Sequence, residues 1–271
     1  MSFASGSAVS YDTLEEVFMY MRLVQTKVKP DGLEIMKEYY DENILPTLQR
    51  TAGCLYACLM RSARQTEEII SLTLWETQKH ADMYEKSGSF RQLLDGAKPF
   101  LADSSELKIQ LTKDMTLEYA PVPEEPTVSS YSVSAASDTN TRTPNDQAPE
   151  TYLRLVSVKL KPGKGDEYRQ LYETEIIPAL RSTKGCRHAY LTTADSRGTE
   201  AISITIWDRQ ADAEAYERSG LFAQLLEKTK HLYSELFQWK LHLDHLHHGQ
   251  SATSEDMQVQ GYSVVTGKSF Q

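Results

Sequence analysis

Two arginines occupy positions where a charge is hard to keep. Arg22 lies in "YMRLVQTKVKP" and Arg154 in "YLRLVSVKLKP", each in mid-stretch with apolar neighbours on both sides. Burying a guanidinium costs free energy unless something negative meets it, because the group cannot shed its proton. Either an acidic residue of the same fold or an anionic, enolate-like ligand would satisfy it. His188, in "CRHAYLT", titrates near neutral pH and is a candidate proton acceptor. The run "LHLDHLHH" gathers His242, His245, His247 and His248, with Asp244 sharing a strand face with His242. A solvated strand end explains that run better than a metal site, and no metal is expected. Cys54, Cys58 and Cys186 form no C-x-x-C pair, and Cys54 and Cys186, at equivalent repeat positions, read as small buried residues that open a strand.

These residues are positioned by a duplication. Shifting the sequence by 132 positions (Tyr152 minus Tyr20) aligns Tyr20–Leu111 with the second half without a gap. "NILPTLQRTAGC" falls over "EIIPALRSTKGC", and "LWETQKHADMYEKSGSFRQLL" over "IWDRQADAEAYERSGLFAQLL". So long a period indicates two whole domains, since solenoid repeats run to about 20–50 residues. The expected boundaries are 15–118 for the first domain and 151–248 for the second, with a linker over 119–150 and a tail over 249–271. His188 aligns with Tyr56, so any role it has is private to the second half.

Each half predicts one order of elements. An alternating strand over Phe18–Val28 precedes a helix with apolar residues at every fourth place, Met36, Tyr40, Ile44 and Leu48. The second half repeats this with Tyr168, Tyr172, Ile176 and Leu180. Pro46 and Pro178 come late in these helices and predict a kink or an end. Two strands follow, then two short helices separated by Gly88 or Gly220, then a last strand in "LKIQLT" or "WKLHLD". The order β-α-β-β-α-β is the ferredoxin-like unit, which makes the chain α+β. The linker and the tail each carry a β-like phrase, "TVSSYSV" and "VQGYSVV", expected to cover a sheet edge.

Bulk properties narrow the partners. A net charge of −9 with no local basic patch argues against nucleic acid. No apolar run reaches the roughly 18 residues that a bilayer span needs, and the N-terminus lacks a signal pattern. The expectation is therefore no membrane and a cytoplasmic location.

The glycine before the second strand and the phrase W-x8-Y-x2-SG-x-F resemble the antibiotic-biosynthesis monooxygenase domains of the dimeric α+β barrel superfamily. The resemblance covers nearly all of both halves. It implies two ferredoxin-like domains packed sheet to sheet, here as a pseudo-dimer within one chain, and it leaves a further homodimer open. It also implies cofactor-free oxygenation of a small aromatic such as a quinol or polyphenol. A non-catalytic small-ligand-binding or interaction protein on the same fold is the alternative. In such domains the ligand lies between sheet and helices. The matching places here are Arg22, Tyr56, Trp75 and Tyr84, and in the second half Arg154, His188, Trp207 and Tyr216. On this reading the arginines stabilise developing negative charge and His188 is the general base. The family's haem-degrading branch places a histidine ligand where this chain has Leu93 and Leu225, so haem is not expected.

Overall fold

A computed structural model describes residues 19–111, 117–123, 126–137, 151–193, 199–234 and 257–270. The first half opens with β1 (Tyr20–Lys27) and α1 (Gly32–Tyr39), which runs through a π-helical turn, Tyr40–Ile44, into α2 (Leu45–Gln49). Strands β2 (Cys54–Ser62) and β3 (Glu68–Trp75) follow, then α3 (Gln78–Lys86) and α4 (Ser89–Ala97). The second half repeats them as β7 (Tyr152–Lys159), α5 (Gly165–Leu171), a π turn at Tyr172–Ile176 and α6 (Ile177–Arg181). It continues with β8 (Cys186–Thr193), β9 (Glu200–Trp207), α7 (Gln210–Arg218) and α8 (Leu221–Thr229). Between the halves lie β4 (Asp103–Leu111), β5 (Leu117–Pro123) and β6 (Thr127–Ala136), and β10 (Met257–Ser269) ends the chain.

The prolines act as their chemistry requires. Neither helix stops at Pro46 or Pro178. Each instead widens just before it, with Leu45 N–H donating to Tyr40 O and Ile177 N–H to Tyr172 O, five residues back. Proline has no N–H for an ordinary turn, and the i to i−5 bond accommodates the gap. The wider turn also absorbs the angular excess of four-residue spacing over 3.6 residues per turn, which keeps Met36, Tyr40 and Leu48 buried on one side. Gly88 and Gly220 join the paired helices at φ 82° and 79°, in the left-handed region open to glycine.

Eight strands close into an antiparallel barrel in the order β1-β3-β2-β10-β7-β9-β8-β6. The fourth strand of each half is the unexpected one. β4 pairs only with β5 in a separate ribbon, whereas β6 lies antiparallel along β1, from Tyr20 opposite Ser132 to Gln25 opposite Thr127. β6-β1-β3-β2 is thus the ferredoxin-like sheet of the first half, and β10-β7-β9-β8 that of the second. The "YSV" phrases cover sheet edges as expected, and they do so twice over. β6 also pairs with β8 of the second half, and β10 with β2 of the first. Both seams carry a register shift at equivalent places, between Val133 and Ala135 and between Val264 and Thr266. A linker and a tail by composition therefore supply two of the eight barrel strands.

The barrel interior is apolar. Met21, Leu23, Ile70 and Leu72 of the first half meet Leu153, Leu155, Ile202 and Ile204 of the second. A sheet covered by helices on one face must bury the other, and here each half covers its copy. Two further cores lie between sheet and helices, one per half. The stretch 239–244 and the histidines His242 to His248 lie outside the described residues. Among the described residues, no cluster of three or more His, Cys, Asp or Glu could hold a metal, and no helix is long and apolar enough to cross a membrane.

Candidate functional site

Strand alternation places Arg22, Val24 and Thr26 of β1 on the helix side, while Met21 and Leu23 enter the barrel. With Ser71 and Thr73 of β3 and a wall of Phe90, Leu93 and Leu94 from α4, they bound a cavity of about 70 Å3. Its lining is mostly apolar, with Thr26, Ser71, Thr73 and Tyr84 as neutral polar members and Arg22 as the one charged residue among the described lining residues. Arg22 is only 6% exposed. Its Nη2 donates to Glu85 Oε2, and the guanidinium lies 5.0 Å above the ring of Phe90. Nε and Nη1 have no hydrogen-bond partner, and neither does the hydroxyl of Thr26. An unmade bond to a buried donor costs about 1–3 kcal/mol, more for a charged group, so these atoms are unsatisfied polar groups held beside the cavity at a cost.

The second half has the same frame with different contents. Arg154 Nε donates to Glu217 Oε1 at 2.6 Å, and its guanidinium lies 4.1 Å from the centroid of Phe222. Of the two ways to satisfy the arginines, an acidic residue of their own fold is thus realised in both halves. The helix–sheet space, however, shrinks to about 30 Å3. The difference of 132 identifies the cause: Met36, Ala97 and Leu101 of the first half become Tyr168, Thr229 and Tyr233. The Tyr233 hydroxyl is 2.5 Å from Thr229 Oγ1, and the rings of Tyr168 and Tyr233 lie 6.1 Å apart. Two phenol rings fill what is empty in the first half.

The other expected residues separate into layers. Tyr84 and Tyr216 line their cavities, both buried, with hydroxyls held protonated because burial raises their pKa. Trp75 and Trp207 lie behind them, fully buried with ring centroids 5.2 Å from the tyrosines. Each indole N–H donates to the threonine two residues earlier, Thr73 at 2.9 Å and Thr205 at 2.8 Å. They support the cavity wall and are not among the lining residues.

Tyr56 and His188 lie on the opposite face. Between Cys54 and Tyr56, and again between Cys186 and His188, the register with the neighbouring strand shifts by one residue. One extra residue in a strand sends every later side chain to the other face. Tyr56 therefore pairs with Leu74 inside the barrel, and His188 pairs with Ile206 and stacks on Tyr190 at 6.2 Å. The arginine and the histidine expected to share a ligand stand on opposite sides of one sheet. Thr26, Phe90, Tyr168 and Tyr233 also line the cavities, and the sequence motifs do not single them out as site residues. The differences between the aligned halves at positions 36 and 101 were the available signal.

Comparison with known proteins agrees with this architecture. The family model described as antibiotic biosynthesis monooxygenase matches residues 19–95 and 151–228. None of the curated proteins matches the chain. Among solved structures, a candidate monooxygenase from Fusobacterium nucleatum superposes with a TM-score of 0.63 at 11% identity, over 94% of this chain and 95% of that one. One from Lactobacillus acidophilus gives 0.63 at 9% identity, over 93% and 96%. An anthrone oxidase-like protein gives 0.56 at 12%, over 94% of each. At such identities these likenesses concern the fold. The family model covers more than half of the chain in two tandem copies, and the protein belongs to the antibiotic biosynthesis monooxygenase family.

Proposed function

We propose that the protein is a cofactor-independent monooxygenase of a small aromatic with an ionisable oxygen, of quinol, polyphenol or polyketide type, and that its working site is the first-half cavity. The observation that carries this reading is Arg22, a buried cation with two unpartnered nitrogens beside a mostly apolar cavity. A flat, apolar substrate suits the walls, and its phenolate or enolate oxygen suits Arg22. Anion stabilisation matters because such a substrate reacts with O2 from its deprotonated form. When a benzylic CH2 becomes a carbonyl, the substrate gives four electrons. One oxygen atom of O2 enters the carbonyl and the other leaves as water, so no outside reductant is required. Arg22 would stabilise the anion in a site largely shielded from water, where such an interaction is strongest. His188 faces the barrel and takes no part in this reading.

A cavity of about 70 Å3 is smaller than the ~150 Å3 that admits a benzene ring. Entry of substrate thus requires Phe90, Leu93 and Leu94, all half-buried on α4, to move outward. The fold shared with an anthrone oxidase-like protein adds anthrones to the compounds worth testing. One observation favours binding without turnover: among the described residues, the only titratable side chains lining this cavity are Arg22 and Tyr84, and neither is a proton acceptor at neutral pH. The two readings separate by oxygen uptake with hydroquinones and anthrones, alongside titration of 4-nitrophenol, whose ionised form absorbs visible light. Saturable uptake supports the oxygenase. Binding of 4-nitrophenolate without uptake on any compound transfers the assignment to a binding protein, and failure of both defeats the proposal.

A further inference from the structure

The helix that walls the first-half cavity is tied down at one point. α4 brings Phe90, Leu93 and Leu94 over the space, and all three are half-buried. Tyr39, the last residue of α1, donates its hydroxyl to Leu93 O at 2.9 Å. Its ring centroid lies 5.6 Å from that of Phe100. The hydroxyl rests against Gly96, where an added methyl group would overlap it. Among the described residues, no other hydrogen bond or ion pair ties residues 90–97 to the fold beyond their adjoining turns.

The second half lacks this arrangement. Leu171, Lys228 and Leu232 take the places of Tyr39, Gly96 and Phe100. There α8 is clamped by other chemistry: Lys228 pairs with Glu175 at 2.5 Å, and the Thr229 hydroxyl meets that of Tyr233 at 2.5 Å. Leu225 is buried, whereas its counterpart Leu93 is only half-buried. The phenol and the glycine that admits it thus belong to the half that has a cavity. Glycine weakens a helix interior, so Gly96 serves the close approach of Tyr39 and not the helix.

We infer that the Tyr39–Leu93 bond is an autoinhibitory latch: it holds α4 closed, and a ligand occupies the cavity only in the state in which the bond is broken. The inference rests on the first-half cavity being the working site. The closed space of about 70 Å3 is below what an aromatic ring needs, so α4 stays displaced while a ring is bound. The latch therefore opposes the bound state as well as entry. Apparent affinity scales with the population of the competent state, so removing the latch tightens binding. Gly88, at φ 82° with open space around it, is the hinge on which α4 swings. Burial raises the Tyr39 pKa, so the phenol keeps its proton and the latch holds at neutral pH.

The test first reads opening without any ligand. Ser71 of β3 lines the first-half cavity, and Ser203 of β9 lines the space in the second half. Alkylation of the full chain by iodoacetamide, followed by mass spectrometry, reports opening at the thiol of Ser71→Cys or of Ser203→Cys. Adding Tyr39→Phe should speed labelling at position 71 roughly 3–10-fold, the worth of one hydrogen bond, and leave position 203 unchanged. Gly96→Ala, which displaces the hydroxyl yet favours the helix, should do the same. Unchanged labelling at position 71, or equal acceleration at both positions, would overturn the latch. With Ser71 in place, Tyr39→Phe and Gly96→Ala should each bind 4-nitrophenol more tightly by that same factor. Binding that is weaker or unchanged overturns the autoinhibitory role. Accelerated labelling at position 71 alone, with no variant binding 4-nitrophenol, upholds the latch and defeats the functional reading.

Discussion

Tyr168 and Tyr233 stand with ring centroids 6.1 Å apart inside the second half, in the places where the first half has Met36 and Leu101. Two copies of one fold have thus diverged into one with a cavity and one with a filled core. The filled copy retains its arginine, its ion pair and its aromatic wall, so the lost space is accounted for by Tyr168 and Tyr233 together with Thr229 in the place of Ala97.

That relationship predicts a gain of site. Replacing Tyr168, Thr229 and Tyr233 with Met, Ala and Leu should open the second cavity. Stability should fall by about 3–5 kcal/mol in total, through lost aromatic burial and buried hydrogen bonds. Equilibrium dialysis with 4-nitrophenol should then count two bound per chain in place of one. A count that stays at one in the folded variant contradicts the role given to the tyrosines.

Arg22→Met should separate function from stability. Removing one member of a buried ion pair costs about 3–5 kcal/mol when its partner stays buried. Glu85, however, is 54% exposed and can return to water, so the expected loss is about 1 kcal/mol. Turnover or binding of an anionic aromatic should drop about 10²–10³-fold, in line with loss of an oxyanion donor. Unchanged affinity would remove Arg22 from the site.

Alkaline pH should destabilise the fold. Burial pushes the thiols of Cys54 and Cys186 up to about 12, and burial raises Tyr40, Tyr84, Tyr172 and Tyr216 above the ordinary phenol value. In the unfolded chain thiols ionise near 8.5 and phenols near 10. From about pH 8.5 upward the unfolded state therefore binds fewer protons than the folded one, and stability falls with pH. The contribution is complete below the unfolded values and is lost as pH rises through the folded ones. Tm recorded from about pH 8 to 11 should decline steadily, and Cys54 should resist alkylation in native protein at about pH 8. A flat Tm profile would count against this account.

The seams predict how the halves hold together. A protease site inserted within residues 138–150 should, after cleavage, leave two fragments that co-elute on a sizing column, since β6 pairs with β8 and β10 with β2. Removing residues 257–271 should instead expose the edges of β2 and β7. Unpaired edges recruit other chains, so that truncation should aggregate or self-associate. Monomeric behaviour of the truncated chain would show that barrel closure does not depend on β10.

The amino-acid sequence alone determined the duplication, the α+β class and the arginines' place on the strands, because each rests on local regularity. A gapless offset, a period of two and a four-residue helical spacing are all legible without contacts. Which strand completes each sheet was not legible. "LKIQLT" and "TVSSYSV" have comparable strand character, and their distinction lies in backbone pairing across the two halves, which no local pattern encodes. The same holds for Tyr56 and His188: a single shifted register at Leu55 and Arg187 turns them from the helix side to the barrel, and a shift of that kind appears only once neighbouring strands are paired. The emptiness of one cavity and the fullness of the other were likewise tertiary facts. Met36 and Leu101 are 65 residues apart, as are Tyr168 and Tyr233, and only the fold brings each pair to one space, where side-chain volume then decides whether a ligand can enter.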